Sequence, residues 1–175
     1  MTKVRILIGA FAMTAALCIA GSAQAIEQKA VLALDMAKTI ADACEAYQAA
    51  QVAAGVDFRP INVAVYDDGG NLKLFRRQEN AFLGSIQISQ MKASTSSNFP
   101  FSSRLWGEIA FGKDGEPGRV PGLALVPGHA AFSGGLPILT ADGQHIGGVG
   151  VSGATGDQDE ECAQAGIDAI ADMLK

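Results

Sequence analysis

The sequence predicts an α+β fold in which a largely antiparallel sheet is flanked by helices on its faces. Residues 61–77 and 134–153 each contain two apolar runs joined by a turn rich in Asp and Gly, a pattern typical of β-hairpins. Segments with helical spacing precede, separate and follow these two hairpins. Because strands joined by short turns pair in antiparallel fashion and helices cover apolar sheet faces, this order favours the α+β class.

The hairpin over 134–153 is the clearest pattern in the chain. Asp142-Gly143 lies between its apolar runs, and such a pair supplies the positive φ angles of a type I′ turn. Counting outward from this turn predicts three cross-strand pairs: Thr140 with His145, Ile138 with Gly147, and Leu136 with Val149.

This pairing gives the hairpin two different faces. Four residues form a predicted core face: Leu136, Ile138, Val149 and Val151. The opposite face carries Leu139 and Ile146, with Gly148 and Gly150 between them. Because glycine has no side chain, we expect a helix or a ligand to approach the backbone closely there.

Four helices are predicted: 28–54, 85 to the residues before Pro100, 103–111, and a C-terminal helix after Gly153. Ser85 and Ser103 are the expected caps of the second and third helices. At the last helix, either Thr155 with Gln158 or Asp157 with Glu160 has the spacing of a capping box. Two more strands are predicted at 123–126 and 130–133, interrupted at Pro127-Gly128.

The N-terminal 25 residues have the pattern of a secretory signal peptide. Lys3 and Arg5 precede an apolar run over 6–20, and Ala23-Gln24-Ala25 has the small-x-small spacing of a cleavage site. The run is short for a membrane span, although an uncleaved anchor is the alternative. We therefore expect a mature chain that begins at Ile26, forms a single domain over 26–175, and is periplasmic or secreted.

The 175-residue chain is acidic, with 18 Asp and Glu residues against 13 Lys and Arg residues. Loss of Lys3 and Arg5 with the signal peptide would make it more acidic still. An acidic surface repels phosphate backbones and anionic membranes. The sequence therefore predicts no nucleic-acid partner and no stable membrane insertion.

Two of the three cysteines, Cys44 and Cys162, lie outside the signal peptide. In an oxidising compartment an even number of cysteines favours a disulfide bond. Cys44 lies on the apolar stripe of the first helix, and two buried, unpaired cysteines are the alternative.

Five segments, quoted in order, are similar to a known family: V-A-V-Y-D-D-G-G-N-L, F-R-R-Q-E-N-A-F-L-G-S, M-K-A-S-T, F-S-G-G-L-P-I and I-G-G-V-G-V-S-G-A-T-G-D-Q-D. They resemble the GlcG/HbpS family, also called the haem-degrading domain, over nearly the whole mature chain. The resemblance implies a profilin-like fold, haem or tetrapyrrole binding in some members, and assembly into symmetric homo-oligomers. It does not imply one shared reaction, so whether this chain is an enzyme stays open.

The resemblance also indicates two basic residues. Arg77 matches an Arg that follows the second strand in the family, and Lys92 falls in its Lys-Ala-x-Thr helix segment. Either side chain could meet a carboxylate, while the structural alternatives are an exposed strand end and a snorkelling lysine. The family's Asp-Gly after that Arg is Glu79-Asn80 in this chain.

A glycine motif and the small number of histidines restrict which cofactors and metals the chain could bind. Residues 148–153 satisfy G-x-G-x-x-G, but acidic residues crowd the following helix start and too little chain remains for a βαβ return, which argues against a dinucleotide. With only His129 and His145, a three-His zinc site is impossible, and the absence of C-x-x-C-H excludes covalent c-type haem. His129 is the better candidate for an axial haem ligand, while His145 is expected to face solvent. Tyr66 and Met91 are further possible ligands, and each is also a plausible packing residue.

Three functions remain in competition. The first is an exported, non-covalent haem-binding protein in which Arg77 or Lys92 pairs with a propionate. The second is an enzyme or accessory subunit acting on a small organic acid, with Lys92 or His129 as acid or base and the amides of Gly134 and Gly135 as an anion nest. The third is a non-catalytic sensor or assembly module.

Overall fold

The structure is a computed structural model that describes residues 29–175. Within those residues the α-helices are α1 Leu34–Ala53, α2 Gly84–Asn98, α3 Ser103–Phe111 and α4 Gly156–Asp168. The strands are β1 Asn62–Asp67, β2 Leu72–Arg77, β3 Gly112–Lys113, β4 Glu116–Pro117, β5 Gly135–Leu139 and β6 His145–Ser152. Two 3-10 helices cover Pro121–Leu125 and Ala171–Leu174. The predicted signal peptide, 1–25, lies outside the described residues.

Four strands form one sheet in the order β2-β1-β6-β5, and every neighbouring pair is antiparallel. Helices α1 and α4 pack against each other on one side of this sheet, and α2 packs on the other. Strands β3 and β4 form a separate short ribbon next to α3. The predicted α+β fold is confirmed. No helix within 29–175 is long and apolar enough to cross a membrane.

The apolar core lies between the sheet and the α1–α4 pair. All four residues of the predicted core face contact it, and three of them are fully buried: Ile138, Val149 and Val151. The disulfide bond between Cys44 and Cys162 joins α1 to α4, with Cα atoms 4.6 Å apart. The predicted disulfide is therefore confirmed, and it fixes the two helices on this face to each other.

Helix α2 lies directly on the glycines of β6. A Cβ atom on Gly150 would overlap the Ser89 carbonyl oxygen, and one on Gly148 would lie 2.5 Å from the backbone nitrogen of Ser97. The close approach predicted at this face is confirmed, and its occupant is a helix of the same chain. Gly150 is therefore covered by α2 and offers no surface to a ligand.

Replacing Gly150 with Ala should destabilise the protein by roughly 1–3 kcal/mol, because the added methyl group forces α2 away from the sheet. The matched control is Gly84→Ala, since a Cβ at Gly84 meets nothing within 4 Å. Urea unfolding of the two variants measures the difference. Equal midpoints for Gly150→Ala and the wild type would contradict the packing described.

The turn of the second hairpin differs from the prediction. Gly143 has a φ of 85°, but Asp142 is not among the residues with positive φ, which a type I′ turn requires. Instead the carbonyl oxygen of Thr140 accepts from the Gly143 amide, as in a type I turn followed by a left-handed glycine. The Thr140 hydroxyl donates to the Asp142 carboxylate and accepts from the Gln144 amide, which stabilises this longer loop.

A β-bulge shifts the register next to this turn. Ile138 with Gly147 and Leu136 with Val149 pair as predicted, but Leu139, not Thr140, pairs with His145. Ile146 is the extra residue, and it joins the core cluster on the α1 side. The predicted placement of Ile146 on the opposite face, with Leu139, was therefore wrong.

The two strands predicted at 123–126 and 130–133 are absent from the described residues. The first segment is part of the Pro121–Leu125 helix, where a proline at the first position fits the required φ. The Leu123 carbonyl accepts from the Trp106 indole, and the Ala130 amide donates to the Thr95 hydroxyl. Side chains from α2 and α3 therefore satisfy backbone groups that a strand would have paired.

Two of the predicted helix caps also shift. Helix α2 begins at Gly84 without a side-chain cap. The Ser85 amide donates to the Phe82 carbonyl oxygen, so Ser85 lies within the first turn and not at the capping position. Ser102, not Ser103, caps α3 by accepting from the Leu105 amide. At α4 the structure selects the Thr155–Gln158 capping box.

Candidate functional site

A pocket of about 460 Å³ opens where β6 passes into α4 and the N-terminal half of α2 crosses the sheet. Helix α2, the β6–α4 loop and two phenylalanines form its walls. The lining residues on which its chemistry depends are Arg59, Phe82, Ser85, Ile88, Lys92, Phe132, Ser152 and Asp159.

A buried ion pair lies at the base of this pocket. Lys92 and Asp159 are 1% and 2% exposed, and the Lys92 Nζ donates to Asp159 Oδ2 and to the Val151 carbonyl oxygen at 2.8 Å each. The other carboxylate oxygen, Oδ1, accepts from the Ala154 amide at 3.1 Å. The pair therefore connects α2, β6 and the start of α4.

Burial acts against the charged form of both partners. It lowers the pKa of Lys92 and raises the pKa of Asp159, while the attraction between the two charges opposes both shifts. Ionisable groups of this kind at the base of a pocket are more frequent at functional sites than elsewhere.

Two hydroxyl groups face this pocket without a partner. Ser85 is 7% exposed and Ser152 is 4% exposed, and neither side chain makes a hydrogen bond within residues 29–175. Beside them, the Asn62 amide donates to the carbonyl oxygens of Phe82 and Ser152, and its own Oδ1 is buried without a donor. The Ser85 and Ser152 hydroxyls line the pocket and are open to a ligand, whereas the buried Asn62 Oδ1 is not part of the lining.

Arg59 stands at the pocket rim. Its guanidinium lies 5.3 Å from the centre of the Phe82 ring, and the side chain is exposed. Among the described residues it forms no ion pair, unlike Arg76, which binds Asp42 and Glu45. Arg59 is thus a cation that an anionic ligand can reach.

Arg77 lies at the end of β2, opposite Asn62, where it is exposed. This is the end of the sheet that carries Ser152, but Arg77 is not part of the pocket lining. Of the two basic residues indicated by the family resemblance, only Lys92 reaches the pocket. The resemblance did not indicate Arg59.

His129 lies elsewhere, beside the C-terminal end of α2. Its Nδ1 is 3.0 Å from the Pro127 carbonyl oxygen, and its Nε2 is 3.3 Å from the Asn98 amide nitrogen. The imidazole stacks on Trp106, with ring centres 5.4 Å apart and planes inclined by 20°, and Phe99 meets it edge-on. His129 is half-buried in this aromatic cluster.

The amides of Gly134 and Gly135 are already engaged. Gly134 donates to the Glu160 carboxylate at 3.3 Å, and Gly135 donates to the Ser103 hydroxyl at 2.9 Å. Neither amide is free for an anion while these bonds persist.

Three other residues considered as iron ligands lie outside the pocket lining: His145, Tyr66 and Met91, the last of which is half-buried on α2. His145 is half-buried, and its Nε2 donates to the Ser96 carbonyl oxygen at 2.8 Å, because the bulge turns this side chain toward α2. The expectation that His145 faces solvent was therefore wrong. Tyr66 is half-buried at the end of β1, where burial raises its pKa.

Asp159 was not among the site residues predicted from the sequence, in which it is one of the acidic residues that crowd the start of α4. However, Asp159 is followed at three- and four-residue spacing by Cys162 and Ala163, which are both fully buried. This spacing places Asp159 on the inward stripe of α4 and was visible in the sequence.

Comparison with known proteins decides the family. Residues 32–168 match the family described as "Haem degrading protein HbpS-like". The chain belongs to this family. An uncharacterized 15.0 kDa protein of Citrobacter freundii, from the dhaT-dhaS intergenic region, is 34% identical over 150 residues, which cover 84% of this chain and 97% of that protein.

Solved structures of family members have the same fold. Klebsiella pneumoniae protein ORFY has a TM-score of 0.73 at 29% identity, with 86% of this chain and 98% of ORFY covered. A double mutant of Streptomyces reticuli HbpS has a TM-score of 0.70 at 30% identity, covering 90% and 99%. A PduOC:heme complex has a TM-score of 0.68 at 26% identity, covering 81% and 96%.

Proposed function

We propose that this HbpS-like protein binds haem non-covalently, with His129 as the axial ligand. The observation that carries the proposal is the half-buried His129 imidazole, stacked on an aromatic cluster in a chain of a haem-related family. Its similarity to a protein solved as a haem complex supports the same assignment.

The hydrogen bonds of His129 suit axial ligation. The Pro127 carbonyl oxygen can only accept, so Nδ1 carries the proton and Nε2 keeps its lone pair. A backbone carbonyl partner on the far nitrogen orients the ring and raises the basicity of the ligating nitrogen. At present Nε2 accepts from the Asn98 amide at 3.3 Å, and giving up so long a bond costs about 1 kcal/mol.

The surroundings supply apolar contact for a macrocycle. Phe99, Phe101 and Trp106 form stacked and tilted pairs with ring centres 4.5 to 6.2 Å apart, directly beside the imidazole. The nearby Leu125 side chain, in the 3-10 helix that packs on Trp106, is 83% exposed. Axial ligation and an apolar face therefore fit the residues present, and bound haem would supply the iron chemistry.

Of the predicted propionate partners, Arg77 lies toward the other end of α2, and Lys92 lies near the middle of that helix. Arg77 is opposite Asn62, which bonds the Phe82 carbonyl just before α2 begins, whereas His129 bonds Asn98, where α2 ends. A 15-residue helix spans roughly 22 Å. Lys92 is paired with Asp159. We therefore propose that His129 contributes more to haem affinity than either basic residue.

Haem titration of three variants tests the ligand assignment. His129→Ala should shift the Soret band and weaken binding at least tenfold, because it removes the bond to iron. His145→Ala is the matched control, since it removes the other imidazole and should leave the spectrum unchanged. An unchanged spectrum in His129→Ala would contradict the assignment. A larger loss of haem affinity in Arg77→Ala than in His129→Ala would place the haem at the opposite end of α2.

We also propose that the protein acts after export, as the signal-peptide pattern of 1–25 predicts. The Cys44–Cys162 bond supports this, because disulfides persist mainly in oxidising compartments. Assembly into a homo-oligomer belongs to the same proposal. Exposed apolar side chains such as Phe111 and Leu83, at 66% and 70%, favour it.

A further inference from the structure

We infer that the pocket between α2 and α4 is a second binding site, for a small organic carboxylate that carries a hydroxyl group. The inference goes beyond haem binding and does not depend on it, because the pocket lining contains neither His129 nor Asn98, the α2 residue that His129 bonds. Cation placement, unpartnered hydroxyls and pocket shape each support it.

The positive groups favour an anion. Arg59 reaches the pocket without an ion-pair partner in the described chain, and a guanidinium can bind a carboxylate through two parallel hydrogen bonds. At the base, Lys92 uses two of its three donors on Val151 and Asp159. One cation therefore stands at the rim and one at the base.

The negative groups limit the charge of that anion. Asp57 and Asp159 also line the pocket, so the four charged residues of the lining sum to no net charge. A dianion such as phosphate would meet two carboxylates, whereas a monocarboxylate near Arg59 meets less repulsion. The pocket therefore favours a monocarboxylate over phosphate.

The two serine hydroxyls of the lining favour a ligand that carries a hydroxyl group. Ser85 and Ser152 are both more than nine-tenths buried, line the pocket and have no hydrogen-bond partner in residues 29–175. A ligand hydroxyl can donate to one and accept from the other.

The apolar walls of the pocket offer contacts to the carbon chain of the ligand. Phe82, Ile88 and Phe132 provide the apolar part of the lining, and Phe82 and Phe132 are about half-exposed. A volume of about 460 Å³ accommodates a chain of a few carbons together with ordered water. A short hydroxy acid therefore fits within the site, and the charged and hydroxyl groups of the lining, not its volume, favour such a ligand over a fatty acid.

Calorimetric titration of the haem-free mature protein tests the inference with three matched probes. L-lactate carries both groups, propionate lacks the hydroxyl, and lactamide lacks the charge. We expect saturable lactate binding below roughly 20 mM, with propionate about fivefold weaker and lactamide at least tenfold weaker. No saturation by lactate, equal affinity for lactate and propionate, or tighter binding of inorganic phosphate would each overturn the proposal.

Variants locate the binding event. Arg59→Gln should weaken lactate binding about tenfold, because it removes the charged guanidinium that bonds the carboxylate. Ser85→Ala should weaken it about fivefold, because it removes one hydrogen bond to the ligand. Arg119→Gln is the control, as it removes an exposed arginine outside the pocket. Lactate affinity should be the same in His129→Ala, so failure here and failure of the haem proposal are distinguishable. A weaker affinity in Arg119→Gln than in Arg59→Gln would place the anion elsewhere.

Discussion

Reduction of the Cys44–Cys162 bond should lower the free energy of unfolding by about 4–5 kcal/mol. The two cysteines are 118 residues apart, so the bond restricts most of the unfolded chain. In the chain-entropy description the stabilisation grows with the length of the closed loop, and strain in the native state reduces it. The disulfide is therefore expected to be the largest single contribution to stability outside the apolar core.

Urea unfolding with and without dithiothreitol measures this effect. In the reduced wild type both cysteine side chains are still present, so the comparison of oxidised with reduced protein isolates the effect of the covalent bond. The double variant Cys44→Ala with Cys162→Ala is the control, because dithiothreitol should not change its midpoint. If reduction changes the stability of the wild type by less than about 1 kcal/mol, the disulfide does not stabilise the protein by restricting the unfolded chain as described.

The second large effect concerns the buried ion pair. Lys92→Met should destabilise the protein by roughly 3–5 kcal/mol, because it leaves the Asp159 carboxylate buried without its cation. Adding Asp159→Asn should recover part of this loss, since an amide keeps an acceptor for the Ala154 amide and carries no charge.

An exposed ion pair provides the comparison. Lys38 bonds Asp35 one turn away on α1, with side chains 50% and 85% exposed, so Lys38→Met should change stability by less than about 0.5 kcal/mol. Urea unfolding of the wild type, Lys92→Met, Asp159→Asn and the double variant gives the coupling energy between Lys92 and Asp159, and Lys38→Met is measured beside them. A Lys92→Met variant no less stable than Lys38→Met would contradict the role assigned to the buried pair.

The fold could be predicted where local periodicity and turn chemistry agree. Both hairpins, α2 and α3 follow their sequence patterns within a few residues, and the glycines of β6 indicated a close approach. Helix α1 ends as predicted but begins at Leu34, later than the predicted start at 28. The bulge at Ile146 could not be predicted, because it depends on how Thr140 bonds Asp142 and Gln144 in the turn. The segment 121–133 was mispredicted because Thr95 and Trp106, distant in sequence, satisfy its backbone.

The candidate site was predicted only in part, for a related reason. Lys92 was predicted because its helix segment resembles the family's. Its partner Asp159 was not, because it is one of several acidic residues at a helix start, where acidic residues are common. Arg59 and Ser152 carry no motif, and the sheet and α4 bring them together only in the folded chain. A pocket built from single residues on separate elements leaves no local pattern in the sequence.

The most direct test of the central proposal is an absorption titration of the mature wild-type protein with haem. We expect a saturable change in the Soret band at micromolar haem, with one haem per chain, because His129 offers one oriented imidazole beside an apolar surface. A linear, unsaturable increase identical to that of haem in buffer would contradict haem binding by this protein.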